Sequence, residues 1–389
     1  MLLTLAAALL LQQQTPEQAR QDLGDGLYAI TGQGGTIVFS TGADGTFVVD
    51  DQFDRVAQEN LGLIEEVSDG PIVFVLNTHY HGDHTGANVA FTRAGATVVA
   101  TERVRERLAS GNTDGAGAQE PDRAAALPVI TFNDAMTFHW NGETIRAVSL
   151  PDAHTDGDAM VFFEGADVLH TGDVFFSGRF PYIDVEGGGS VDGMIAALER
   201  ITEVAGPQTT VVPGHGPIGN VDAVEDALSM LRTARDAVQA RIEAGDTREA
   251  AVQAQPLADL AETYGWQFID ADKMTGQVYD SLTAAAESDA EDRDAAAGQP
   301  DAAAVTAPPA TPAAPTLPTE EAGEAEADAD EASEQSVEDR LNEAQTRGAE
   351  EAERVREAAD PAPQPADPVE PTVPATTPEQ AAPTPNRGG

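Results

Sequence analysis

Three of the chain's seven histidines and one carboxylate fall within His79-Tyr80-His81-Gly82-Asp83-His84, spaced H-x-H-x-D-H. Imidazole nitrogen and carboxylate oxygen are the donors that zinc and related divalent ions take. Four such donors exceed what one catalytic ion with three protein ligands and an open position requires, which points to two ions sharing the segment. The plain alternative, a helix cap or a packed histidine cluster, would have to gather three polar rings with nothing to hold.

Elements on either side must present these side chains. Pro71-Ile-Val-Phe-Val-Leu-Asn-Thr78, entered from Asp69-Gly70, reads as a short, fully buried strand. Thr85-Gly86-Ala-Asn-Val-Ala-Phe-Thr92 reads as a helix start. The donors are therefore expected on a loop at the carboxyl end of a strand, where open α/β architectures place their chemistry. Three later stretches each follow a short apolar run and end in a further donor. They are Leu150-Pro-Asp-Ala-His154-Thr-Asp-Gly157, Leu169-His-Thr-Gly-Asp173 and Val212-Pro-Gly-His215-Gly216.

On these landmarks, over roughly residues 25 to 283, the chain resembles the metallo-β-lactamase superfamily. The resemblance implies an α/β fold, a four-layer αββα sandwich of two mixed β-sheets flanked by helices. It implies two Zn2+ per chain, with other divalent metals as substitutes. His79, His81 and His154 would serve one ion, Asp83, His84 and His215 the other, and Asp173 would lie between them. It also puts the glycine-rich turn Gly32-Gln-Gly-Gly35 beside the metals. The activity expected is hydrolysis of a small ester, lactone, thioester or amide by a hydroxide bridging the ions, with Asp83 and Asp173 as catalytic carboxylates and Asp83 as proton carrier.

Three other functions stay open: a β-lactamase, a mononuclear iron persulfide dioxygenase, and a non-catalytic binding module with an interaction tail. Two features stand against efficient β-lactam hydrolysis. No lysine stands shortly after the bridging acid, and aspartate occupies position 173, where many β-lactamases of the superfamily have cysteine or serine. Beside Asp173, the stretch Val174-Phe-Phe-Ser-Gly-Arg-Phe-Pro-Tyr182 combines aromatic rings with one arginine. It nominates Phe176 and Tyr182 as pocket walls and Arg179 as the anchor of a substrate carboxylate.

The rest of the chain frames this domain. Leu27–Ile30, Thr36–Phe39 and Thr46–Val49 read as antiparallel strands, and Asn141-Gly142 reads as a two-residue hairpin turn. Helices are expected over Asp54–Val67, around Arg103, Arg105 and Arg107, over Ser190–Val204 and Val221–Ala244, and near Asp272–Ala286. Hairpins first, then strands interleaved with helices, make two mixed sheets with helical covers. His139 reads as a surface or packed residue of its strand, not a ligand, and His170 as a packed support for the loop of Asp173. Asp156 and Asp158, flanking His154, read equally as support groups or as solvated loop residues.

Met1–Leu11 is apolar and of signal-peptide length, too short to span a bilayer, although no basic residue opens it. Residues 1–20 are thus read as a signal peptide of a periplasmic or secreted protein, 21–283 as the metallo-hydrolase domain and 284–389 as a tail. From residue 284 the chain has no aromatic residue, 15 of its 25 prolines, and 25 acidic against 6 basic residues. Such a composition cannot bury enough apolar surface to offset its ordering entropy, so disorder is expected there, apart from a transient charged helix over 330–359. Zero cysteines exclude disulfides, thiol catalysis and thiolate metal ligation. A formal net charge of −46 argues against nucleic acid and anionic membranes as partners and leaves a small-molecule substrate.

Overall fold

The strand that leads into the histidine motif lies fifth in a seven-stranded sheet. The computed structural model describes residues 17–111 and 123–297. Along the chain the first sheet comprises β1 (Ala19–Gly24), β2 (Leu27–Thr31), β3 (Ile37–Ser40), β4 (Thr46–Val49), β5 (Ile72–Leu76), β6 (Thr97–Thr101) and β7 (Ile130–Phe132), in that spatial order. Pairing is antiparallel from β1 to β4 and parallel from β4 to β7. The second sheet holds β8 (Ala135–Trp140), β9 (Glu143–Ser149), β10 (Ala159–Phe163), β11 (Val168–His170) and β12 (Thr210–Val212). There the β11–β12 pair alone is parallel. Helices α1 (Ala57–Glu65), α2 (Gly82–Thr85), α3 (Asn88–Arg93), α4 (Glu102–Ser110) and α5 (Arg123–Ala126) accompany the first sheet in sequence. Helices α6 (Val191–Val204), α7 (Val221–Glu243), α8 (Arg248–Gln253), α9 (Ala258–Tyr264) and α10 (Ala271–Ala297) accompany the second.

Alternation of side chains along each strand builds the layers. Phe47 and Val49 of β4 and Leu76 of β5 point between the sheets, where Ile145, Val161 and Phe163 meet them. Val48 and Val75 point the other way, onto Ala57, Ile64 and Phe91 of the helical cover. Beyond the second sheet, Leu169 and Val211 pack with Met194, Leu198, Leu231 and Val278 of α6, α7 and α10. Both faces of the central strands are therefore buried, which is why they read as unbroken apolar runs. Phe47 is fully buried, with the Phe138 ring 4.9 Å away and edge-on, and it ties the sheets together. Its truncation to Ala should cost about 3–5 kcal/mol. The result is the expected αββα sandwich.

Local expectations fare unevenly. Asn141 and Gly142 both adopt positive φ, 54° and 77°, as a tight two-residue hairpin turn requires. Ser190 and Asn220 cap α6 and α7 by accepting hydrogen bonds from Gly193 and Ala223 amides. The expected edge between residues 20 and 21 falls inside β1, where Arg20 pairs with Ile30. That strand is polar and lies at the sheet edge, so no apolar alternation betrays it. Helix α10 continues past the expected domain edge at residue 283 to Ala297. Residues 1–16 and 298–389, with most of the leader and tail readings and the helix suggested over 330–359, lie outside the described residues. So do residues 112–122, ahead of α5. Among the described residues, no helix is long and apolar enough to cross a membrane.

Candidate metal centre

The chain leaves β5 through Asn77 and Thr78, and His81 then takes an extended conformation at φ −64°, ψ 149°. Its carbonyl accepts the amides of His84 and Thr85, both at 3.0 Å. Asp83 and His84 thus sit inside the single turn of α2, not on the loop preceding a helix that starts at Thr85. Thr85 Oγ1 closes that turn onto the His81 carbonyl at 3.1 Å. His154 lies between β9 and β10, Asp173 in a short 3-10 turn (Gly172–Val174) after β11, and His215 after β12. Close backbone approach requires glycine at two neighbouring positions. A side chain at Gly35 would collide with the His84 imidazole, and one at Gly214 with the Asp173 carboxylate.

All seven candidate ligands converge. One group gathers His79, His81 and His154, a second His79, His84 and Asp173, and a third Asp83, His84 and His215, with donor atoms within 4.8 Å of one another. His81 Nδ1 and His154 Nε2 face each other at 2.8 Å. Asp173 reaches into both halves: its Oδ2 lies 3.6 Å from His154 Nε2 and 3.3 Å from His215 Nε2, and its Oδ1 3.1 Å from His84 Nε2. Asp83 Oδ2 lies 3.0 Å from His215 Nε2.

The outer nitrogens of four of these rings are occupied. His84 Nδ1 donates to Asp50 Oδ2 at 2.7 Å, and His81 Nε2 to Asp184 Oδ2 at 3.0 Å. His154 Nδ1 donates to the Tyr182 carbonyl at 2.8 Å. His79 Nδ1 lies 3.1 Å from Thr78 Oγ1, which itself donates to Asp50 Oδ2 at 2.8 Å. In the neutral ring each pairing fixes the tautomer that gives the inner nitrogen a lone pair, the arrangement metal-ligating histidines use. His79 Nε2, His84 Nε2 and Asp173 Oδ1 are buried without a hydrogen-bond partner. Orphaned polar atoms at such depth are costly unless something binds them. The donor set fits divalent cations.

Charge follows the same division. Burial depresses His79 well below the usual imidazole range, and burial with His81 pushes His154 down to about 4. Burial opposes charging of His84 too, but Asp173, Asp50 and Asp83 outweigh it and hold this ring above its ordinary value. His215, only partly buried and faced by Asp173 and Asp83, rises to about 9. Despite burial, Asp83 falls to about 2 beside His84 and His215, and Asp173 lies well below the carboxylate range. Without a cation, the Asp83 side of the site therefore stores protons that a metal must displace.

Remaining expectations resolve as follows. His170 holds the acid's loop: its Nδ1 accepts from the Gly172 amide at 3.1 Å, and its Nε2 donates to the Thr36 carbonyl at 2.8 Å. His139 is exposed on β8. Asp158 accepts from Thr155 N and Oγ1 at 2.7 and 2.8 Å, and burial lifts it to about 8. It braces the His154 loop, whereas Asp156 pairs with Arg107 at 2.8 Å. A cavity of about 580 Å³ opens over the centre, with Asp83, Asp173 and His215 in its wall. Gly32, Gln33 and Gly34 line it, as the glycine-rich turn was expected to, and so do Phe176, Arg179 and Tyr182. Phe175, by contrast, is core. The arginine is not alone, because Arg55 lines the same cavity, and Phe53, Trp266 and Phe268 add aromatic wall.

Sequence reasoning missed Asp50, Asp184 and Arg55. A polar run, Asp50-Asp51-Gln52, directly after an apolar strand was the available signal for the first. Asp184 carries no comparable signal.

A sequence model described as the metallo-beta-lactamase superfamily matches residues 27–215. Over 131 residues the chain is 30% identical to a hydroxyacylglutathione hydrolase of Methylococcus capsulatus, covering 33% of this chain and 42% of that enzyme. The match thus spans less than half of that relative's length. Similar solved structures include a metallo-beta-lactamase from Pontibacter korlensis, 19% identical with a TM-score of 0.48, covering 56% of this chain and 99% of that one. Another is the DIM-1 metallo-beta-lactamase, 17% identical with a TM-score of 0.47, over 56% of this chain and 99% of the other.

Proposed function

We propose that this member of the metallo-β-lactamase superfamily, matched over residues 27–215, is a two-zinc hydrolase of a small carboxylate-bearing ester, lactone or thioester. The observation that carries the reading is the set of four imidazoles whose outer nitrogens are engaged and whose inner nitrogens converge with Asp173. His79, His81 and His154 would hold one ion and Asp83, His84 and His215 the other, with Asp173 shared. Zinc in such a setting supplies Lewis acidity and lowers the pKa of water to about 7.

The chain's own groups supply the rest. Asp83, partly exposed in the cavity wall, would carry a proton to the leaving atom. Phe176 and Tyr182 form apolar walls that displace water from the substrate body. Arg179, in the cavity lining with its guanidinium 4.9 Å from the Trp266 ring centre, would receive a carboxylate. The likeness to an enzyme named for hydrolysing acylated glutathione supports a thioester or ester rather than a β-lactam. Aspartate at position 173 and the lack of a lysine shortly after it in the chain support the same choice.

A panel of amide, ester, lactone and thioester substrates on zinc-loaded protein tests the proposal. Hydrolysis of at least one ester-like class, abolished by chelation and restored by zinc, is expected. No chelator-sensitive hydrolysis in any class would overturn it. We also propose export, on the apolar leader and the absence of cysteine. An intact Met1 on the protein recovered from cells would contradict that.

A further inference from the structure

We infer that the substrate carries two negative charges, and that Arg55 selects for the second of them. The inference rests on the hydrolase reading for its chemistry, while its evidence is the distribution of charge. The chain's formal net charge is −46, and nine of the described arginines lie within 4 Å of an Asp or Glu carboxylate. The cations at the cavity are different. Among the described residues Arg55 and Arg179 have no carboxylate partner, and both line the 580 Å³ cavity. Arg55 stacks over Phe53 at 3.8 Å and donates from Nε to Gln33 Oε1 at 3.2 Å. Arg179 stacks on Trp266 instead. Lys273, the chain's one lysine, sits beside the same wall, with Nζ 3.9 Å over Phe268 and donating to the Phe268 carbonyl at 3.2 Å.

In so acidic a protein a guanidinium finds a carboxylate readily. Of the described arginines without one, Arg105 donates to the Pro128 carbonyl, whereas Arg55 and Arg179 line the cavity, each against an aromatic ring, and offset there the repulsion an anion would otherwise meet. They also come from separate walls. Arg55 follows β4 of the first sheet, and Arg179 follows the Asp173 turn of the second. Each is positioned by its own neighbours, Phe53 and Gln33 for one and Trp266 for the other. A substrate with a single anionic group needs one of these anchors. Two anchors on different elements, with Phe176 and Tyr182 in the same cavity, fit an apolar body bearing two anionic groups.

Gln33 extends the control of Arg55 inward. Its amide donates to Gln18 Oε1 at 2.6 Å, and Gln18 Nε2 donates to Asn60 Oδ1 at 2.7 Å within a buried polar cluster. Gln52 of that cluster donates to the Gly35 carbonyl at 2.6 Å. The turn that orients Arg55 is therefore the same one that packs against His84.

The test is equilibrium binding to the zinc-loaded full chain, by calorimetry, of straight-chain dicarboxylates of graded length and the matched monocarboxylates. At least one dicarboxylate should bind roughly tenfold or more tightly than its monoacid, a margin that shrinks with added salt. Arg55→Gln should abolish that margin while leaving the monoacid's affinity unchanged, and Arg55→Lys should keep part of it. Arg55 is exposed, so these changes spare the core. Equal binding of every diacid and its monoacid, or an equal loss of both in Arg55→Gln, would overturn the inference. Because binding is read without turnover, failure of the substrate panel sinks the hydrolase reading alone, and absence of the margin in the unmodified chain, or its persistence in Arg55→Gln, sinks this inference alone.

Discussion

Asp50 supports ligands on both sides of the metal centre, and its replacement is the sharpest probe of how the site is held. The residue is fully buried. Its Oδ2 accepts from His84 Nδ1 at 2.7 Å and from Thr78 Oγ1 at 2.8 Å, while Oδ1 accepts the Thr78 amide at 2.7 Å. Through the Thr78 hydroxyl the same carboxylate also steadies His79. Asp50→Asn keeps the shape but offers one oxygen, so at least one donor must face an amide group. A buried donor left unsatisfied costs about 1–3 kcal/mol, and loss of a partner behind a ligand typically lowers metal affinity ~10–100-fold. Competition with a zinc chelator should show that loss at the ion held by Asp83, His84 and His215, with a smaller loss at the other. Thr78→Val removes the hydroxyl but keeps the amide, so it should weaken chiefly the ion held by His79, His81 and His154. Wild-type affinity at both ions in Asp50→Asn, or equal losses at both in Thr78→Val, would refute the relay.

Three further outcomes follow from the same geometry. Gly35→Ala drives a methyl into the His84 imidazole, so the protein should bind about one zinc rather than two while keeping its far-UV circular dichroism; retention of both ions would remove this turn from the site. Asp184→Asn replaces the acceptor of His81 Nε2 and of the Tyr80 hydroxyl. It should lower affinity at the first ion roughly tenfold by chelator competition, with the second unaffected. His215 is raised to about 9 and His84 also lies above its usual value, so at pH 7 both are protonated before metal arrives. Zinc binding there should release about two protons, and affinity should fall as pH drops below 9. Calorimetry in buffers of different ionisation enthalpy reads this directly, and binding without proton release would contradict it.

The ligands were legible because each is anchored by its own local context, a short apolar strand followed at once by a donor. The hairpin at Asn141-Gly142 was legible for a similar reason, since its positive φ values demand those residue types. What escaped depends on distant approach. Asp50 meets His84 across 34 positions and Asp184 meets His81 across 103, and neither pairing has a periodicity or spacing that announces it. Arg55 looked like any charge at a helix start until Gln33 and Phe53 brought it to the cavity. Trp266 and Phe268 reach that cavity from the segment between α9 and α10, far along the chain from the motif. The first strand was hidden because Ala19–Gly24 is an edge with no buried residue, although Gln18 just before it is buried.

The central claim is that seven side chains bind two ions and that this pair drives hydrolysis. Metal analysis of the purified chain, read together with turnover before and after chelation, tests it most directly. Zinc close to two per chain is expected, falling to about one in Asp173→Ala with most of the activity lost. A single iron per chain with no hydrolysis, or near-normal turnover in Asp173→Ala, would contradict it.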